Sequence, residues 1–478
     1  GEQARAVVEP ATSYSTLRAL QEFKGGKRGL GLMTTFTSRT LGSDHARSAL
    51  GEWASVTGVD GWTRFGPDGL FALTGWGAVS HLEGDAAWLA RVQRSSVHYL
   101  QRPDRKRGNY DPTRTALTGF AGRVMLNKQS GNVMFNAALG VIDSYFNSND
   151  LGFQSSGGGV LNGHLFTGYQ WNEPTSWTRR KRVMLAYAQS ADADAITTSQ
   201  FVWSRFFVEF PSYWNISAGG VYAPSTFSTR LTRGGPAVRR PHGFNVNLQV
   251  NSDSRKPLQF FVSSYSELNP NSKSLGLFTS VDWRPNTYVS LSVGPFLELS
   301  RNAHQYITTR ADVTAPTFGH RYVFAQLDQH SVGTELRLNW TLTPTLSVQL
   351  FTQGLVASGA YSNWLELKDP GAGTFMRYGR DGGRVDVVEQ GIRIDPDDAG
   401  PAPSFTLGRP DFRYASLRAN SVVRWEFRPG STFFFVWTQM REDVEGDGQF
   451  APRRAASRLV DTRPDQYLAV KLTYRLGQ

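Results

Sequence analysis

The sequence predicts an all-β fold, a transmembrane antiparallel β-barrel of the outer-membrane type, and three observations carry that prediction. The first is strict alternation. Phe244, Val246, Leu248 and Val250 fall on one side of a strand, and Asn245, Asn247, Gln249 and Asn251 on the other, the period-two signature of a strand with one apolar and one wet face. The second is recurrence: such segments, about 9–14 residues long, repeat along the chain with turn residues between them. The third is composition. Aromatics make up 13% and hydrophobics 40%, and the mean hydropathy is −0.37. No run of about 20 apolar residues is present, as a membrane-crossing helix needs, whereas alternation hides a barrel's apolar face from such averages.

Other bulk properties narrow the field. The 478 residues contain no cysteine, which excludes disulfides, thiolate nucleophiles and thiolate-held metals. The net charge is +11. Lys and Arg are scattered at alternate positions and loop ends rather than gathered in a tract, so they read as lumen charges and contacts to anionic lipid or lipopolysaccharide. With no recognition motif beside them, no nucleic-acid partner is expected. The chain opens GEQARAVVEP, with neither an initiating Met nor an apolar signal core, and reads as a mature or truncated product.

Taken in order, short turns fall at Lys24–Lys27, Pro67–Gly69, Gln129–Gly131, Pro174–Ser176, Tyr213–Asn215, Ser254–Pro257, Pro285–Thr287, Thr343–Thr345 and Pro429–Ser431. Each supplies Gly, Pro, Asn or Ser for tight-turn dihedrals. Longer polar connections alternate with them: Gly42–Leu50, Glu83–Arg114, Asp143–Gly157, Ser225–Pro241, Lys368–Phe412 and Glu442–Pro464. Short periplasmic turns and long extracellular loops are the rule for bacterial barrels. The last third reads as strands near 320–329, 332–342, 345–357, 413–427, 430–441 and 465–476, with a periplasmic C-terminus. Counting back gives roughly 20 strands or more. The strand near Ser13–Phe23 then descends, which puts residue 1 outside the cell and implies further N-terminal strands on another segment. Residues 1–478 read as one barrel domain, with 368–412 as a long extracellular or plugging loop.

Several stretches carry a family resemblance: YVFAQLDQHSVGTELRLNWTLTPTLSVQLFTQGLVASGAYSN from Tyr322, RANSVVRWEFRPGSTFFFVWTQMR from Arg418, and YLAVKLTYR near the end. With them go VEPATSY at Val8, QRPD at Gln101, SNDLGF at Ser148, TRGGP at Thr232 and SDSRKP at Ser252. Together they resemble the C-terminal barrel of large bacterial outer-membrane proteins of unknown function. Those proteins carry an N-terminal module resembling family-9 carbohydrate-binding domains. The resemblance implies an outer-membrane location and an association with carbohydrate. The module and its connector have no counterpart in this sequence, so no sugar-binding residue is transferred.

Few residues suggest chemistry. Asp443, Glu445 and Asp447 alternate before Gly448, as oxygen ligands do at the start of a calcium loop, but Arg453 and Arg454 stand where a closing carboxylate belongs. No cofactor is expected: the segment reads as a solvated acidic loop, with calcium as the alternative. No histidine sits in a Ser or Asp motif, and ordinary surface or interface roles are expected for all eight. GGKRGLG from Gly25 reads as a tight turn rather than a phosphate loop. Glu335, Arg337, Arg424, Glu426, Lys471 and Arg475 fall on polar strand faces and are expected to line the lumen, as a ladder of cross-strand ion pairs. Trp340, Trp425, Trp437 and Tyr474 are expected at the membrane interfaces.

A barrel this wide breaches the membrane unless it is filled, by Lys368–Phe412, an N-terminal segment or a partner protein. The expected function is a gated conduit or platform for a polymer, glycan or protein, working with partners and not as an enzyme. The alternatives are an outer-membrane enzyme acting on lipid or glycan, with a His or carboxylate pair near the outer rim, and a structural scaffold.

Overall fold

A computed structural model describes residues 9–154 and 157–476. Gly1, whose side of the membrane the direction count addresses, lies outside the described residues. The main sheet holds 20 strands. One is the short Thr374–Arg377, which pairs beside the far end of a longer strand. The other nineteen, twenty less that one, form a single wall.

In chain order the wall strands are β1 Ala11–Phe23, β2 Arg28–Thr40, β3 Trp53–Phe65, β4 Phe71–Glu83, β5 Ala116–Lys128, β6 Val133–Ile142, β7 Val160–Trp171, β8 Arg180–Asp192, β9 Thr197–Glu209 and β10 Asn215–Ala223. They continue as β11 Gly243–Asn251, β12 Leu258–Asn269, β13 Ser272–Trp283, β14 Val289–Ala311, β15 His320–Thr343, β16 Leu346–Asp369, β17 Phe412–Arg428, β18 Ser431–Glu445 and β19 Asp465–Thr473. Every consecutive pair is antiparallel and hydrogen-bonded.

All nine short connections named above lie at one end of the wall. The long connections lie at the other, joined there by tight turns after β8 and β12 that the sequence reading lacks. One reading needs correction: 320–329 and 332–342 are not two strands but one, β15. His330 and Ser331 have no turn chemistry and stay in register with Leu299 and Glu298.

Nineteen is odd, which has a geometric consequence. With each strand antiparallel to the next, the first and the last run the same way. Among the described residues β1 pairs only with β2, and β19 only with β18. The wall therefore ends in two free edges that point in the same direction.

The two faces divide as the alternation requires. Val246, Leu248, Leu275 and Leu277 point outward and stay exposed. Asn245, Asn247, Gln249 and Tyr265 point inward along the same ladder.

Candidate functional site

The inner face and the loops that close over it form the candidate site. The connection between β4 and β5 carries a helix, α2 (numbering the one between β2 and β3, Asp44–Ala49, as α1), at Ala86–Arg94. Its Trp88 and Leu89 are buried against Ala54, Leu82 and Leu117, which share the inward side of their strands with Asp60 and Arg123. The spacing of Trp88, Leu89 and Val92 gives one apolar stripe, and Arg91 and Arg94 complement the helix C-terminus. A second connection, 143–159, lies on the same face: Phe146 sits over Gly119, where a side chain would collide with its backbone. Asn147 N donates to Ser80 Oγ at 2.9 Å.

Side chains knit the connections into one cap. Arg39 Nη1 reaches Asp150 at 2.7 Å, and Arg230 Nη2 donates to Ser96 O at 2.7 Å. Ala237 N donates to Asp104 Oδ2 at 2.8 Å, and Arg239 N to Pro370 O at 2.9 Å. Residues 369–411 do not stay a loop. They form Thr374–Arg377 and a three-stranded sheet of Arg384–Val388, Gly391–Asp395 and Phe405–Leu407. Ile394 and Leu407 pack on Val323 and Trp364 of the extended β15–β16 ends.

Below the cap, the inner face changes character around the wall. On β15–β18 charges of both signs are matched. Arg337 Nη2 donates to Glu335 at 3.3 Å, and Arg424 Nη2 to Glu426 at 3.0 Å. These two pairs are not cross-strand rungs, as the sequence suggests, but lie along one strand. Residues two apart share a face about 6.6 Å from each other, which an arginine spans. Arg418 and Glu442 do pair across strands, at 3.2 Å. Lys471 lies over the Phe434 ring at 6.0 Å. Arg475 stands just past the end of β19 at Thr473, and its amide donates to Ser431 Oγ at the start of β18.

On β5–β10 the inner face is basic. Arg123 donates to Asn162 at 2.7 Å and to His164 Nδ1 at 3.0 Å. Arg205 donates to Ser217 at 2.5 Å and Gln249 at 3.3 Å. Neither guanidinium has a carboxylate partner among the described residues.

Trp340, Trp425 and Tyr474 lie exposed near the short-turn end of the outer face, between 46% and 50% accessible. Trp437 lies near the middle of β18, opposite Ser421, and donates to Gln466 at 3.2 Å.

The calcium alternative is overturned by the arginines around it. Asp443 is held by Arg458 at 3.1 Å, Glu445 by Arg413 and by Arg458 at 2.7 Å, and Asp447 by Arg454 and by Arg413 at 3.1 Å. No group of three acidic or histidine side chains among the described residues is placed to hold a metal. The carboxylates instead seat α3, Pro452–Asp461, whose Ala455 and Leu459 pack on Val356 and Ala415.

The histidines divide. His98 is buried in the cap, donating from Nδ1 to Ser144 O at 2.9 Å and accepting at Nε2 from Asn147. Burial lowers its pKa and keeps it neutral. His81 differs. On the outer face near the cap end, its Nδ1 lies 2.6 Å from Thr118 Oγ1 and its Nε2 3.0 Å from Glu83 Oε1. Sequence reading missed this trio. His81 and Glu83 are two apart on one strand face, but only the β4–β5 register supplies Thr118.

A family model described as "Domain of unknown function (DUF5916)" matches residues 86–477. A comparison with curated proteins finds no match. Among solved structures the chain is similar to the siderophore receptor PirA from Acinetobacter baumannii, at 10% identity over 93% of this chain and 73% of that one, with a TM-score of 0.38.

Proposed function

The chain belongs to the DUF5916 family, and from that premise we propose that it forms the wall and external cap of a gated conduit, or display platform, in the bacterial outer membrane. The observation that carries the proposal is the one-sided closure of a polar inner face. Knitted connections cover one end, and only tight turns stand at the other. The cap faces outward, and the turns and the end of β19 face the periplasm. Lipid and lipopolysaccharide surround the apolar belt. The cargo is a polymer, a glycan or a protein, handled with partner proteins. A companion segment supplies the strands between β1 and β19. Two edges running in one direction are joined in fully antiparallel fashion only by an odd number of added strands whose outermost members run the opposite way; the edges of a second copy in the same membrane orientation run the same way and would meet them in parallel.

The test uses the absence of native cysteine. Arg39→Cys and Asp150→Cys are bridged by a reducible bis-maleimide in the assembly purified from native membrane, and single-channel conductance is recorded. The bridge is expected to hold the conduit shut and reduction to restore opening. Equal conductance with and without the bridge, or none in any state, contradicts a gated conduit.

One observation favours a second reading, ester cleavage at the outer rim. Thr118, His81 and Glu83 stand as nucleophile, base and orienting carboxylate. Fatty-acid release from phospholipid that disappears in His81→Ala and Thr118→Val supports it. Release no greater than from protein-free micelles sinks it.

A further inference from the structure

The cap encloses a cavity of about 300 Å³ between the β4–β5 connection, the tops of β8 and β9, and residues 227–230 and 240. A second cavity of about 210 Å³ shares Thr198, Ser199 and Arg240 with it. Four guanidiniums line the first: Arg102, Arg105, Arg230 and Arg240. Arg102 is already neutralised, by Asp104 and Asp192, each at 3.1 Å.

The other three form no ion pair among the described residues, although Asp194 and Asp192 lie near enough to Arg105 to offset part of its charge. Arg105 donates to Ser144 Oγ at 2.5 Å and to the carbonyls of Arg107 and His98. Arg230 donates to Ser96 O at 2.7 Å. Arg240 forms no ion pair among the described residues, and neither do Arg105 and Arg230. The one carboxylate lining the cavity, Asp192, is the partner of Arg102; nearby Asp194 accepts from the Lys106 amide. Ser190, Thr198, Ser199 and Ser228 also line the cavity, together with Gly157–Gly159 and the apolar Val97, Val160 and Phe227.

Unpaired guanidiniums around a partly enclosed space strengthen each other's attraction for an anion and repel one another without it. Arginine matches the planar or tetrahedral oxygens of carboxylate and phosphate with paired donors. The volume stands at the small end of the ligand-pocket range of about 300–1,000 Å³. We propose that this cavity is a binding site for the oxyanion group, carboxylate or phosphate, of a small organic solute of about hexose size. On the orientation proposed above, it lies in the external cap. Binding there does not require passage through the wall, so it stands or falls separately from the conduit.

Isothermal titration of the whole solubilised chain tests this with three probes on one scaffold: glucuronate, glucose 6-phosphate and glucose. At least one charged probe is expected to bind, ten-fold or more tighter than glucose, and more weakly as salt rises. The arm that binds identifies the group. Arg230 and Arg240 are exposed, so R230Q with R240Q weakens binding by ten-fold or more while the wall strands stay folded, as read by far-UV circular dichroism. Three results overturn the site: no binding of either charged probe, glucose binding equally well, or an unchanged affinity in the double variant. Inorganic phosphate binding as tightly as glucose 6-phosphate overturns the claim that the cavity is shaped for an organic solute.

Discussion

Arg321 and Glu366 meet across the upper β15–β16 ladder, with Arg321 Nη1 donating to both carboxylate oxygens at 2.9 and 2.8 Å. Arg321 Nε also donates to Asp312 at 2.5 Å, and the Tyr378 hydroxyl donates to Glu366 at 2.6 Å. Both partners are largely buried. The network fixes the root of residues 369–411, because Tyr378 anchors that segment to the strand ends.

Without Glu366, Arg321 keeps Asp312 as its counter-charge, but buried donors on Arg321 and Tyr378 lose their acceptor, a loss of about 1–3 kcal/mol. Glu366→Ala is expected to release 369–411 while the lower wall persists. Limited proteolysis should show new cleavage confined to that segment. Cleavage no faster than in the parent contradicts the anchoring role.

The short turn after β11 carries a pH signature. Arg255 donates to Asp253 from Nε at 2.8 Å and from Nη2 at 2.7 Å. This bond, with the Arg255 amide, lowers the Asp253 pKa to about 2. A depressed carboxylate stabilises the fold above its unfolded value of about 3.9 and loses that effect as pH falls through the folded value. Pepsin cleavage at the turn should therefore rise between pH 4 and pH 2 in the parent. In Asp253→Asn it should already be high at pH 4. A flat parent profile contradicts the assignment.

Gly119 makes room for Phe146. Gly119→Val should undock the connection 143–159 from the inner face while the β4–β5–β6 ladder survives. Fluorescence of a probe at Ser148→Cys is expected to report increased mobility. An unchanged anisotropy means that the close approach is not needed.

Calcium at millimolar concentration should leave the unfolding midpoint unchanged, because arginines already occupy Asp443, Glu445 and Asp447. A midpoint raised by calcium and reversed by chelator contradicts this.

The wall was largely legible in the sequence, for a physical reason. Tight turns such as Lys24–Lys27 and Pro429–Ser431 announce themselves by local dihedral chemistry, and a half-buried strand by its period of two. The top turn after β12 carries turn chemistry in Asn269, Pro270 and Asn271 and was legible; the one after β8, Ala193–Ile196, was not, because it holds neither Gly nor Pro. The helix in the β4–β5 connection was legible in principle, through Trp88, Leu89 and Val92, but its burial depends on Ala54 and Leu117 being brought together. Charge pairing was the least legible. Arg413 with Glu445 and Asp447, and Thr118 with His81, become neighbours only through strand register. The basic cavity draws on three connections at once, those after β4, β6 and β10.

The central claim is a nineteen-strand wall with two like-directed free edges that a companion segment completes. The most direct measurement is a cryo-EM map of the protein drawn gently from its native membrane and examined between Leu17 of β1 and Val470 of β19. The account predicts an odd number of added strands, antiparallel to both edges, with apolar side chains continuing the outer belt. A direct parallel β1–β19 pairing, or edges sealed by lipid alone, contradicts it.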